Sequence, residues 1–174
     1  PPPPPPRITS ADHELPQMER WPGSLRATAA PASRLKRQRQ LRPIGIVRSP
    51  FVQQSGTPAQ PSFAGDEAVG TVEVDPHFEE GLAGIEGFDR IWLVCWLDRI
   101  GPVRLTVVPY LDTEPRGLFT TRAPSRPNPI GMSAVRLLHR DGPVLHVADL
   151  DLLDGTPLLD IKPFVPDLDG GPAG

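Results

Sequence analysis

The sequence predicts an all-β protein: an antiparallel β-barrel with one or two short helices, preceded by a disordered N-terminal extension. Three observations lead there. From Pro43 onward, short apolar runs recur at fairly regular spacing, each cut by Gly, Pro or Asp. Only one stretch has helical spacing, and three glycines interrupt it. The first 42 residues lack apolar periodicity and hold nine of the 25 prolines. Many short strands with few helices leave edges to satisfy, and closing the sheet on itself removes them. The expected organisation is a Pro-rich, basic extension over 1–42, a barrel domain over 43–169 and a flexible tail over 170–174.

Each element has its own signal. IGIV (44–47) reads as a strand stopped by Ser49-Pro50. GTVEV (70–74) alternates, with Val72 and Val74 on one face and Thr71 and Glu73 on the other. HFEEGLAGIEGF (77–88) is a short helix at most, with Phe78, Leu82 and Ile85 at helical spacing. RIWLVCWLD (90–98) is almost continuously apolar, as a strand buried on both faces would be. VRLTVVPY (103–110), GLFTTR (117–122), IGMSAVRLLHR (130–140) and VLHVADLDLL (144–153) read as further strands. Asp154-Gly155 marks a turn before LLDIKPF (158–164).

The extension opens PPPPPP and ends in SRLKRQRQLR (33–42), which is either a solvated lead-in or an arm that touches phosphate. Residues 1–42 carry eight basic and three acidic side chains, and the rest carries ten and eighteen. An acidic domain with a basic arm is not the usual footprint of a nucleic-acid binder. One cysteine, Cys95, lies in an apolar run and reads as a core residue, so no disulfide framework is possible within the chain. No secretory leader or membrane span is visible, and a reducing, cytoplasmic setting is expected. No GxGxxG, GK[ST] or GxSxG motif occurs. The four histidines have no metal-ligand spacing, so the expected chemistry needs neither a metal nor a nucleophilic side chain. His146 reads as an ordinary strand residue.

Two constellations remain. In RAPSRPNPIG (122–131), Pro124, Pro127 and Pro129 fix their own φ and hold Ala123, Arg126 and Asn128 extended. Such a loop is either a rigid crossover or a preordered ligand platform. In the second case it offers proline carbonyls to an amine and Arg122 or Arg126 to a carboxylate or phosphate, with Gly131 allowing close approach. In DLDLLDGTPLLDIKP (149–163), Asp149, Asp151, Asp154 and Asp160 crowd one turn. Alternation places Asp149 and Asp151 on one strand face and Leu150 and Leu152 on the other, Asp154 closes an Asx turn with Gly155, and Asp160 shares a face with Lys162. Clustered carboxylates suit a cationic amine or sulfonium, or take a proton from a weakly acidic N–H. Gln60, in the loop GTPAQPSF (56–63), suits an adenine edge or is ordinary surface.

Together IGIVRSPF (44–51), GTPAQPSF, GTVEV, GLAGIEGFDRIWLV (81–94), RGLFTTRAPSRPNPIGMS (116–133) and LDLLDGTPLLDIKPFVP (150–166) resemble successive blocks of the TsaA/YaeB-like, or TrmO, family of tRNA methyltransferases. The resemblance covers about residues 43–169 in order. It implies a TsaA-like β-barrel that works as a homodimer, binds S-adenosylmethionine and methylates N6 of threonylcarbamoyl-adenosine beside the tRNA anticodon. It also implies a cofactor pocket lined by Pro58, Ala59, Gln60, Asp98, Arg99, Arg122, Met132, Asp151, Leu152 and Asp154, shaped by Arg126, Pro127 and Asn128. Bacterial tRNA-modifying members have Arg where this chain has Ala59, and His-Gln where it has Asp98-Arg99. They also carry a C-terminal domain, whereas this chain ends soon after Pro166. The pattern is nearer the short, archaeal-like branch.

The expected chemistry is in-line methyl transfer, in which positioning does most of the work. Asp151 or Asp154 is the candidate base for the acceptor N–H. Competing readings are a methyltransferase of the same fold acting on a small molecule or another RNA, and a non-catalytic module that binds S-adenosylmethionine or RNA.

Overall fold

The computed structural model describes residues 40–54, 57, 68–109 and 112–170. Six strands close an antiparallel barrel: β1 (Gly45–Arg48), β2 (Gly70–Val74), β3 (Arg90–Trp96), β6 (Ile130–Asp141), β7 (Val144–Ala148) and β8 (Thr156–Pro163). The order around the wall is β1-β2-β7-β6-β3-β8, and β8 returns to β1 through Val47 opposite Thr156. A separate two-stranded ladder, β4 (Thr106–Val107) with β5 (Arg116–Gly117), projects between β3 and β6 in sequence. Two 3-10 turns, Pro76–Leu82 and Ile85–Gly87, replace the expected helix, and Asp75 caps the first by accepting from the His77 N–H. Glycine spacing cannot sustain a longer helix. A single helical turn, α1 (Pro166–Asp169), ends the described residues.

The core is the barrel interior. Val47, Val72, Ile91, Leu93, Cys95, Val135, Leu145, Val147, Leu150 and Leu158 are fully buried there. The alternation read for β2 holds, with Val72 and Val74 inward. β3 corrects its expectation: Ile91, Leu93 and Cys95 are buried, but Trp92, Val94 and Trp96 are only half-buried. A barrel wall has one inner face, and its outer face is covered locally, as where Trp92 meets the Phe164 ring at 5.5 Å. VRLTVVPY and GLFTTR also fall short of full strands: the first pairs only through Thr106 and Val107, and the second only through Gly117 before it continues into a 3-10 turn, Leu118–Thr120. The run 144–153 leaves the wall at Ala148, where Asp149 adopts φ 64°.

β1 and β2 approach so closely at Gly70 that a Cβ there would strike the Arg48 carbonyl oxygen and Leu150 Cδ1. Gly131 lets its strand pack closely on Leu97: a Cβ there would meet the Leu97 side chain at 2.9 Å. On the outer wall His146 stacks on His139 with centroids 4.0 Å apart, a cross-strand pair of ordinary strand residues. Asp160 and Lys162 pair at 2.8 Å, as their shared face predicts.

Candidate functional site

One mouth of the barrel gathers most of the sequence-derived candidates. Antiparallel pairing brings the C-terminal ends of β1, β3 and β7 together with the N-terminal ends of β2, β6 and β8. The residues that follow β3, the proline-rich stretch that enters β6, and the turn 149–155 between β7 and β8 therefore share this end. Leu97, just after β3, donates its N–H to the Pro129 carbonyl at 2.8 Å and closes the entry to β6.

The turn 149–155 is pinned residue by residue. Leu150 and Leu152 insert into the core, and the Leu150 N–H donates to the Ala68 carbonyl at 3.0 Å. Asp149 takes a left-handed conformation that costs a non-glycine residue about 1–3 kcal/mol. It is held there by Arg90 Nη2 at 2.7 Å, with Arg136 at 3.7 Å. Asp154 Oδ1 accepts from the Ser49 N–H at 3.1 Å, and its own N–H donates to the Phe51 carbonyl at 2.7 Å. So its carboxylate ties β1 to the turn, where an Asx closure with Gly155 was expected. Gly155 supplies the positive φ and donates to the Val47 carbonyl at 2.8 Å. Arg99 Nη2 donates to the Asp154 carbonyl at 2.5 Å, and Arg99 lies 3.5 Å from Asp98.

Asp151 is set apart. It points toward β6, where the Ser133 hydroxyl donates to Oδ1 at 2.5 Å. Burial pushes its carboxyl above the usual value. The Ser133 hydrogen bond, then its own backbone N–H and then the Arg122 charge pull the other way without cancelling that effect. Asp149 and Asp151 thus do not share a strand face: the backbone reverses at Asp149, and the two carboxylates meet different partners. Cys95 lies in the core nearby, its thiol pushed up to about 12 by burial and then by the Asp151 charge, so it is inert as a nucleophile.

The proline-rich loop is braced from within. Arg126 donates to the Thr121 carbonyl, and its guanidinium lies 6.0 Å from the Phe119 ring centroid. The Pro124 carbonyl accepts from the Arg126 N–H and the Pro129 carbonyl from Leu97, so two of the three proline carbonyls serve the protein itself. Pro127 and Asn128 are exposed at the mouth. Met132 is 59% exposed on the outer face of β6, because strand alternation turns it away from the inward Ser133. Arg122 is exposed and lines a cleft of about 920 Å³ beside the β4–β5 ladder, with Pro109, Asp112, Arg116, Phe119 and Thr121. Pro58, Ala59 and Gln60 lie outside the described residues. The structure therefore groups Asp98, Arg99, Asp151, Leu152 and Asp154 with the loop at one mouth. It places Met132 on the far face of its strand and puts Arg122 on the cleft.

Two participants escaped sequence reading, Ser133 and Arg90, and Asp149, though singled out, was expected in a strand and not in the left-handed bend it adopts. Ser133 had a signal in a lone polar residue at an inward strand position (IGMSAV), but only the fold says which side chain it faces. Among the described residues no three metal-ligating side chains gather, and no helix is long and apolar enough to cross a membrane.

Comparison with known proteins bears on this geometry. The family model for the tRNA-methyltransferase O N-terminal domain matches residues 46–170. A protein of Pyrococcus abyssi named a probable S-adenosyl-L-methionine-binding protein is 54% identical over 128 residues, covering 74% of this chain and 69% of its own. The tRNA (adenine(37)-N6)-methyltransferase of Escherichia coli is 36% identical over 142 residues, covering 73% of this chain and 58% of that enzyme. The crystal structure of TrmO from Pseudomonas aeruginosa superposes with a TM-score of 0.66 at 39% identity, over 78% of this chain and 60% of that one. The chain thus spans about three fifths of the length of the Escherichia coli enzyme and of the Pseudomonas aeruginosa structure. The barrel, its order of sequence blocks and the family match agree: this chain belongs to the tRNA-methyltransferase O N-terminal domain family.

Proposed function

We propose that the protein is an S-adenosylmethionine-dependent methyltransferase that acts on N6 of threonylcarbamoyl-adenosine beside the tRNA anticodon. In this reading it is a cytoplasmic homodimer, residues 43–169 are the catalytic domain and 1–42 are a basic extension that falls almost wholly outside the described residues. The observation that carries it is the meeting, at one barrel mouth, of the proline-braced loop with the aspartate turn that holds half-buried Asp151.

The donor set fits a sulfonium nucleotide. Asp151 and Asp154 supply negative charge for a cationic centre, and Arg122 supplies a partner for a carboxylate. Asp98, Arg99, Leu152 and the loop Arg126–Asn128 would complete the walls, together with Pro58–Gln60, and Met132 would contribute from the outer face. S-adenosylmethionine, when bound, supplies a methyl group already activated by the positive sulfur. The chain's own tasks are orientation, water exclusion and proton uptake. A carboxyl raised by burial is a better base than an exposed one, since its proton affinity lies nearer that of the acceptor. Asp151 therefore takes the acceptor N–H proton, while Asp154, tied to Ser49, keeps the turn in place.

The test is to incubate the protein with bulk tRNA and methyl-labelled S-adenosylmethionine, then to analyse the nucleosides by mass spectrometry. Label on threonylcarbamoyl-adenosine is the expected result. Cofactor binding without transfer leaves a sensing module instead, and label on another nucleoside reassigns the substrate.

A further inference from the structure

We infer that Ser133 is a positioning residue for methyl transfer: its hydroxyl holds Oδ1 of Asp151, so that Oδ2 is left to meet the acceptor N–H. The inference rests on the proposed function above and adds a residue to it. Ser133 sits opposite Leu93 in the β3–β6 ladder and is 3% exposed, with fully buried Val135 two residues on along the same face. A hydroxyl at an inward position of an apolar wall is unfavourable unless it finds a partner. The partner here is Asp151 Oδ1 at 2.5 Å, 18 residues away in sequence.

A second restraint fixes the same spacing. Arg90 donates to the Ala134 carbonyl at 3.1 Å, next to Ser133, and to Asp149 Oδ2 at 2.7 Å, two residues before Asp151. The guanidinium therefore spans from β6 to the turn beside the Ser133–Asp151 contact. Together they hold the carboxylate at a set distance from β6 and leave it little freedom to rotate. The hydroxyl donates to the ionised carboxylate, which keeps the base ready. During transfer the acceptor nitrogen would bond to the methyl carbon as the methyl–sulfur bond breaks, the sulfur keeping the electron pair and leaving as the neutral thioether S-adenosylhomocysteine, while the N–H proton passes to Asp151 Oδ2 and Ser133 keeps its own proton.

The test compares the wild type with Ser133→Ala by two readouts: the pH dependence of kcat, and the titration of the Asp151 carboxyl followed by carbon-13 NMR. Without the hydroxyl, both the acid limb of kcat and the carboxyl midpoint move to higher pH. Turnover at pH 7 falls about 10- to 100-fold, the scale of a misplaced reacting group, with KM for S-adenosylmethionine unchanged. A structural role alone would lower the melting temperature and shift the carboxyl midpoint while leaving the acid limb of kcat in place. An active wild type whose Ser133→Ala variant keeps the same acid limb overturns the inference alone. A wild type that transfers no methyl group overturns the reading beneath it.

Discussion

The barrel mouth and the β4–β5 ladder use similar apolar residues and end in opposite states. At the mouth Leu150 and Leu152 are buried, although the turn that carries them is irregular. On the ladder Val103, Leu105, Val108 and Phe119 are exposed, Phe119 to 74%. The difference is closure. Each barrel strand has two neighbours and a filled interior, so a turn at its end can drop leucines into an existing core. Among the described residues the ladder has a single pairing, and a two-stranded unit is marginal alone. Its anchor is Leu118, 1% exposed, whose N–H donates to the Leu105 carbonyl at 2.9 Å. Groups that need fixed geometry thus sit at the mouth, and the ladder offers surface.

Breaking the mouth at Asp151 has the largest expected effect. Asp151→Asn lowers methyl transfer about 100- to 10,000-fold, the usual weight of a general base. It also raises stability at neutral pH. The folded carboxyl lies above its ordinary value of 3.8, so wild-type stability is highest where Asp151 is protonated and falls as pH rises through the folded value. Melting curves of the two proteins should converge at low pH and separate above it. Equal curves at every pH would show that burial does not strain this carboxylate.

Leu93→Ala tests closure itself. Leu93 is fully buried in β3 opposite Ser133, and the substitution should lower unfolding free energy by about 2–5 kcal/mol in a denaturant titration. Leu105→Ser on the ladder, at a site 65% exposed, should change it by less than about 0.5 kcal/mol. A comparable loss at Leu105 would erase the contrast between the two regions.

Much of this was legible in the chain, for local reasons. Val72 and Val74 alternate with polar residues, so β2 could be placed with its faces assigned. The glycines at 81, 84 and 87 ruled out a long helix. Asp154-Gly155 announced a turn, and glycine holds the positive φ there. Reading failed where neighbours decide. The apolar stretch 90–98 could not reveal that its outer face is only partly covered. The alternation in 149–153 looked like a strand, but Arg90 and Arg136 bend the chain at Asp149.

The sequence alone determined an all-β chain, the place of each barrel strand and the two stretches that carry the polar chemistry, because period, turn residues and proline act within a few positions. Only the tertiary structure decided that these stretches meet, that Ser133 faces Asp151 and that Met132 faces away. Those facts depend on strand order and register, which join residues far apart in the chain.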